Sequence, residues 1–92
     1  MRTLILDDEE PIVHMLSKAC EKEGHKVFPF TQTVDALMHL ASEPLDLLIT
    51  DMHMPEHGGM TVVRAARRLQ PNIFTLIITG HTSRYPIEDL MA

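Results

Sequence analysis

Two aspartates, Asp7 and Asp8, follow the apolar run Thr3-Leu4-Ile5-Leu6, and a third, Asp51, follows Leu47-Leu48-Ile49-Thr50. If the two runs are neighbouring strands, the three carboxylates converge at one end of a sheet. Clustered carboxylates raise one another's pKa values unless a cation neutralises them. An oxygen-preferring dication such as Mg²⁺ suits such a set. His53, His57 and His81 fall near the same loops, but their spacing matches no zinc pattern.

The elements that must hold these groups can be read along the chain. Thr3 to Leu6 has the short apolar character of a buried parallel strand. The spacing predicts a helix from Pro11 to Glu23, with Ile12, Leu16, Ala19 and Cys20 inward and Gly24 as its stop. Lys26 to Phe30 reads as a second strand, which Pro29 assigns to an edge. Thr33 is expected to cap a helix whose apolar face is Val34, Leu37, Met38 and Ala41, ended by Glu43-Pro44. Leu45 to Thr50 is the third strand, followed by a loop from Asp51 to Gly59. Met60 to Gln70 is helical, with Val62, Val63, Ala66 and Leu69 inward, and Ile73 to Thr79 is a fourth strand. A further helix starts at Arg84. Met15, Met38 and Met60 are assigned to gap-filling core, and Cys20 to the packed side of the first helix. His14, His25 and His39 are assigned to surface or partly packed positions.

Strands alternating with helices imply a parallel sheet covered on both faces. In such sheets, functional groups gather beyond the carboxyl ends of the strands. Asp7, Asp8, Asp51 and Thr79 all fall there.

Composition bounds the possibilities. The 92 residues make one domain, residues 1–92, and 45% hydrophobic content supports an aliphatic core. A net charge of −5 argues against direct nucleic-acid binding. Cys20 is the single cysteine, so no internal disulfide forms. The sequence has no membrane-length apolar run and no leader pattern at its start, which gives a cytoplasmic expectation.

Three pieces in order carry a family resemblance: Leu6-Asp7-Asp8-Glu9, Ile49-Thr50-Asp51-Met52-His53-Met54-Pro55 with Gly59, and Ile77-Ile78-Thr79-Gly80. Together they resemble the receiver domain of two-component response regulators. The resemblance implies a flavodoxin-like, doubly wound α/β fold with strand order 2-1-3-4. It implies that Asp51 is the phosphoacceptor, supplied by a phosphohistidine on a sensor histidine kinase. Asp7, Asp8 and Asp51 would hold Mg²⁺, with the backbone carbonyl of His53 as a further oxygen donor. Thr79 would give its hydroxyl to a phosphoryl oxygen, and Gly80 would leave the group accessible. Such a module is not an enzyme in its own right; at most it catalyses its own phosphorylation and dephosphorylation.

The sequence departs from that pattern after Thr79. The fifth strand, its lysine and the fifth helix have no counterpart, so the expectation is a receiver truncated within its fourth helix. The fourth strand would then be an apolar edge, and one sheet face would be covered by the first helix alone. Homo-oligomerisation through that edge and face is expected, together with weakened phosphoryl transfer for want of a cation. An output domain would lie outside this chain. A second reading is an interaction module that keeps the acidic site only by ancestry. A phosphatase of the haloacid dehalogenase kind wants Asp-x-Asp after the first strand, and position 9 is glutamate. A flavin binder is disfavoured because the four carboxylates from Asp7 to Glu10 stand where phosphate donors are needed.

Overall fold

The computed structural model describes residues 1–52 and 59–78. Within them the order is β1 (Arg2–Leu6), α1 (Glu10–Lys22), β2 (Lys26–Phe30), α2 (Thr33–Ser42), β3 (Leu47–Asp51), α3 (Gly59–Leu69) and β4 (Phe74–Ile78). The strands form one parallel sheet in the order β2-β1-β3-β4. That is the flavodoxin-like arrangement expected, with the strand order reversing direction at β1 and β3. The expected helix from Arg84 lies outside the described residues. Among those described, no helix is long and apolar enough to cross a membrane.

Strand alternation divides the core into two layers. Leu4, Leu6 and Leu48 pack with Ala36 and Leu40 of α2 and Val62, Val63 and Ala66 of α3. Ile5 and Ile49 pack on the opposite face with Val13 of α1, joined by half-buried Leu16, Cys20, Val27, Leu47 and Ile78. Burial pushes the Cys20 thiol pKa up, in keeping with an inert packing residue.

Helix ends follow local chemistry. Pro11 lies in the first turn of α1, where its missing N–H costs nothing. Gly24, at φ 91°, stops that helix. Its N–H reaches the Glu21 carbonyl and the His25 N–H reaches the Cys20 carbonyl, both at 3.0 Å. This is a Schellman closure, which favours glycine at the left-handed position. Gln32, not Thr33, is the N-cap of α2; Thr33 is the first helical residue and is buried.

Both sheet edges can be read from the ladder. The Lys26 N–H donates to the Met1 carbonyl and the Phe30 carbonyl accepts from Asp7 N–H. The even-numbered residues of β2 therefore face β1, and Val27 and Pro29 face outward. Pro29 sits where the missing donor costs no ladder bond, as its assignment to an edge anticipates. At the other end, Phe74 N–H donates to the Asp46 carbonyl and the Ile78 carbonyl accepts from Met52 N–H. Thr75 and Ile77 consequently point their backbone groups away from β3.

Several expected helix faces need correction. In α2 the buried residues are Thr33, Ala36 and Leu40, while Val34 is 55% and Met38 66% exposed. The segment Val34-Asp35-Ala36-Leu37-Met38 is apolar around nearly its whole circumference, so periodicity selects no unique face. In α1, Val13 is buried and Ala19 exposed. Leu69 is 45% exposed at the end of α3. Met15 and Met60 are exposed too, so none of the three methionines fills core.

Candidate functional site

The carboxylate cluster follows from strand register. Leu4 pairs with Leu48 and Leu6 with Thr50, so one step further Asp7 stands level with Asp51. Asp51 is the last residue of β3, and Asp7 follows directly on β1. Both are buried, at 1% and 2% exposure, whereas Asp8 is exposed. One carboxylate oxygen from each of Asp7, Asp8 and Asp51 lies within 4.8 Å of the other two. The structure thus brings together the three aspartates singled out in the sequence.

Backbone bonds fix the frame. Asp7 N–H donates to the Phe30 carbonyl at 3.2 Å, and Met52 N–H donates to the Ile78 carbonyl at 2.9 Å. These bonds hold the strand ends on either side of the carboxylates. Glu9 N–H donates to Asp7 Oδ1 at 2.8 Å. Glu9 is the N-cap of α1, so the turn that starts the helix also orients the carboxylate. Thr50 Oγ1 donates to the Asp51 carbonyl at 3.2 Å. The sequence motifs assign no role to Phe30 or Thr50. Phe30 acts through its backbone and leaves no trace in residue type; a hydroxyl one residue before Asp51 was the available signal for Thr50.

Among the described residues, the groups that shift Asp7 are burial, one backbone N–H and the neighbouring carboxylates. Burial pushes the Asp7 carboxyl up from its ordinary 3.8 to about 6. The Glu9 N–H opposes that rise, and the neighbouring Asp51 and Asp8 add to it. The donor set is all oxygen and partly buried, which suits a hard dication. His53, Thr79 and Gly80 lie outside the described residues, as do His57 and His81. Of the other histidines, His14 is exposed. His25 Nδ1 lies 2.8 Å from Thr3 Oγ1 at the opposite end of the sheet. His39 packs on the rings of Phe28 and Phe30, at centroid distances of 4.5 and 5.4 Å.

Known proteins resemble this chain in sequence and in fold. The response regulator receiver protein CpdR of Brucella abortus is 37% identical over 79 residues, covering 86% of this chain and 66% of the relative. The DNA-binding transcriptional regulator NtrC of Proteus hauseri is 30% identical, over 85% of this chain and 16% of its own length. This chain therefore spans just under two thirds of the first relative and a small part of the second. A CheY-like receiver domain structure from Methanospirillum hungatei superposes with a TM-score of 0.82 at 24% identity, over 96% of this chain and 74% of that one. The family description "Response regulator receiver domain" matches residues 3–92. With the sheet order, the paired strand ends and the aspartate cluster all in agreement with that match, the chain belongs to the response regulator receiver domain family.

Proposed function

We propose that this chain is the phosphoacceptor module of a two-component phosphorelay, taking a phosphoryl group onto Asp51 from a phosphohistidine of a sensor kinase. The observation that carries the reading is the convergence of Asp7, Asp8 and Asp51 oxygens within 4.8 Å at the C-terminal end of the sheet. Asp7, Asp8 and Asp51 fit Mg²⁺, with the His53 carbonyl as a further oxygen donor. When bound, Mg²⁺ supplies the positive charge that offsets the carboxylates and the incoming phosphoryl oxygens.

The remaining work falls to the chain. A carboxylate oxygen of Asp51 attacks phosphorus as the bond to the donor histidine nitrogen breaks, leaving an acyl phosphate on the protein and the imidazole on the kinase. The position of Asp51 at a strand end, with its carbonyl held by Thr50, keeps the nucleophile in place. The Thr79 hydroxyl would donate to a phosphoryl oxygen. The chain acts as acceptor rather than as an enzyme on other substrates, in a cytoplasmic setting, with an output domain elsewhere in the signalling protein.

Intact-mass spectrometry after incubation with phosphoramidate and Mg²⁺ tests the proposal. One added phosphoryl group is expected, absent with EDTA and absent in Asp51→Asn. Labelling that survives Asp51→Asn would sink the assignment.

A second reading, self-association, is favoured by β4. Phe74 is 67% and Leu76 52% exposed on the sheet face that α1 packs against. Apolar groups so exposed on an uncharged strand favour pairing with another copy. Light scattering would detect it as a mass that rises with concentration.

A further inference from the structure

The outer surface of the α2 and α3 layer has a composition that neither the core nor the carboxylate site accounts for. Arg64, Arg67 and Arg68 are all exposed on α3. Their spacing places them on one stripe, opposite buried Val62, Val63 and Ala66. Met60, 38% exposed, starts the same stripe. The first turn of α3 carries no acid, and among the described residues no carboxylate pairs with these arginines. The chain as a whole has a charge of −5 with only 8 Lys and Arg, so this cluster runs against the general balance.

Beside it, α2 packs against α3 and turns a different stripe outward. Val34 and Met38 are 55% and 66% exposed, and Ala41 is exposed one turn on. Their spacing of four and three residues forms an apolar rail along the helix. An apolar rail therefore runs next to a cationic one. Methionine and arginine are enriched where proteins meet, the first because it adapts to a partner's shape and the second because it pairs with carboxylates.

The two rails together discriminate among occupants. A second copy docked through the same face would bring another arginine rail and no acidic stripe to match it. A nucleic acid would use the arginines, but it has no use for Val34 and Met38 and would meet a net negative protein. We propose that the outer face of α2 and α3 docks an acidic amphipathic helix of a partner protein. Its apolar residues would lie along Val34, Met38 and Ala41, and its Asp or Glu flank along Arg64, Arg67 and Arg68. This surface is separate from the carboxylate site, so its fate does not depend on phosphorylation at Asp51.

The test uses a synthetic helical peptide about four turns long, with leucines on one stripe and glutamates on the adjoining one. The full chain, labelled with ¹⁵N, is titrated with it, and amide shifts are mapped. Shifts confined to α2 and α3 are expected. Affinity should fall on the order of tenfold or more in R64E/R67E/R68E, and similarly in Met38→Glu, with circular dichroism unchanged. A peptide with lysine in place of glutamate should not bind. Equal binding of the lysine peptide, shifts elsewhere, or no shifts at millimolar peptide would overturn the proposal. So would arginine-dependent binding to phosphatidylglycerol vesicles without peptide binding, which would assign the face to a lipid surface instead.

Discussion

Asp7 is a carboxylic acid held where its charge is costly, and stability should register that cost. Between its ordinary pKa of 3.8 and the raised value of about 6, the folded chain binds a proton that the unfolded chain has released. Stability without metal therefore falls as pH rises through that window and stays reduced above it. Thermal unfolding followed from pH 4 to 8 in EDTA should show the decline. Asp7→Asn keeps an oxygen to accept the Glu9 N–H but carries no charge. Its Tm in EDTA at pH 8 should exceed that of the parent, and added Mg²⁺ should then stabilise it little. A lower Tm for the variant, or full stabilisation by Mg²⁺, would contradict this account of the pocket. The convergence of Asp7 with Asp51 was legible in the sequence, because two apolar runs ending in acid have only to pair in register. The split between buried Asp7 and exposed Asp8 was not legible, since it depends on where β1 gives way to the turn before α1.

Gln70, just past the end of α3, ties three backbone groups of another segment together. Its Oε1 accepts from Leu45 N–H at 2.7 Å. Its Nε2 donates to the carbonyls of Leu40 at 2.9 Å and Glu43 at 2.6 Å. These bonds close the connection between α2 and β3, the strand that ends in Asp51. Gln70→Ala would leave partly buried groups short of partners and should cost about 1–3 kcal/mol in urea unfolding. A loss within error of zero would show that water replaces the amide. The elements themselves were readable from apolar runs punctuated by Pro11, Gly24, Pro44 and Pro71. Their faces were less so. The inward side of α2 is set by contact with β1, β2 and α3, and a helix apolar on both sides gives periodicity nothing to choose between. The α3 face was readable through Ala66 because Arg64, Arg67 and Arg68 mark the wet side; Leu69 failed only because the helix ends there.

At the scale of the molecule, the two sheet faces are unequally covered by the described helices. Between them α2 and α3 bury the residues of one face across β1 and β3, whereas α1 serves the other face mainly at β1 and β2. Phe74 and Leu76 stay in water as a result. Replacing Leu76 with lysine should lower the apparent mass at high concentration, with little loss of secondary structure, because that side chain is already half in solvent. An unchanged mass would place any association elsewhere. The general expectation of an exposed apolar fourth strand came from the sequence, but the exposure of Phe74 and Leu76 rather than Thr75 and Ile77 required knowing which side α1 occupies.

Pro29 sets a limit on such growth. Among the described residues, joining two copies through β4 would consume the one edge that still offers outward N–H groups free of proline. The two margins left would both be β2, each interrupted by Pro29 where an added strand would seek a donor. Assembly of this kind ends at a pair with closed symmetry. A fibril needs a fresh receptive edge after every addition, and among the described residues the remaining β2 edge is interrupted by Pro29.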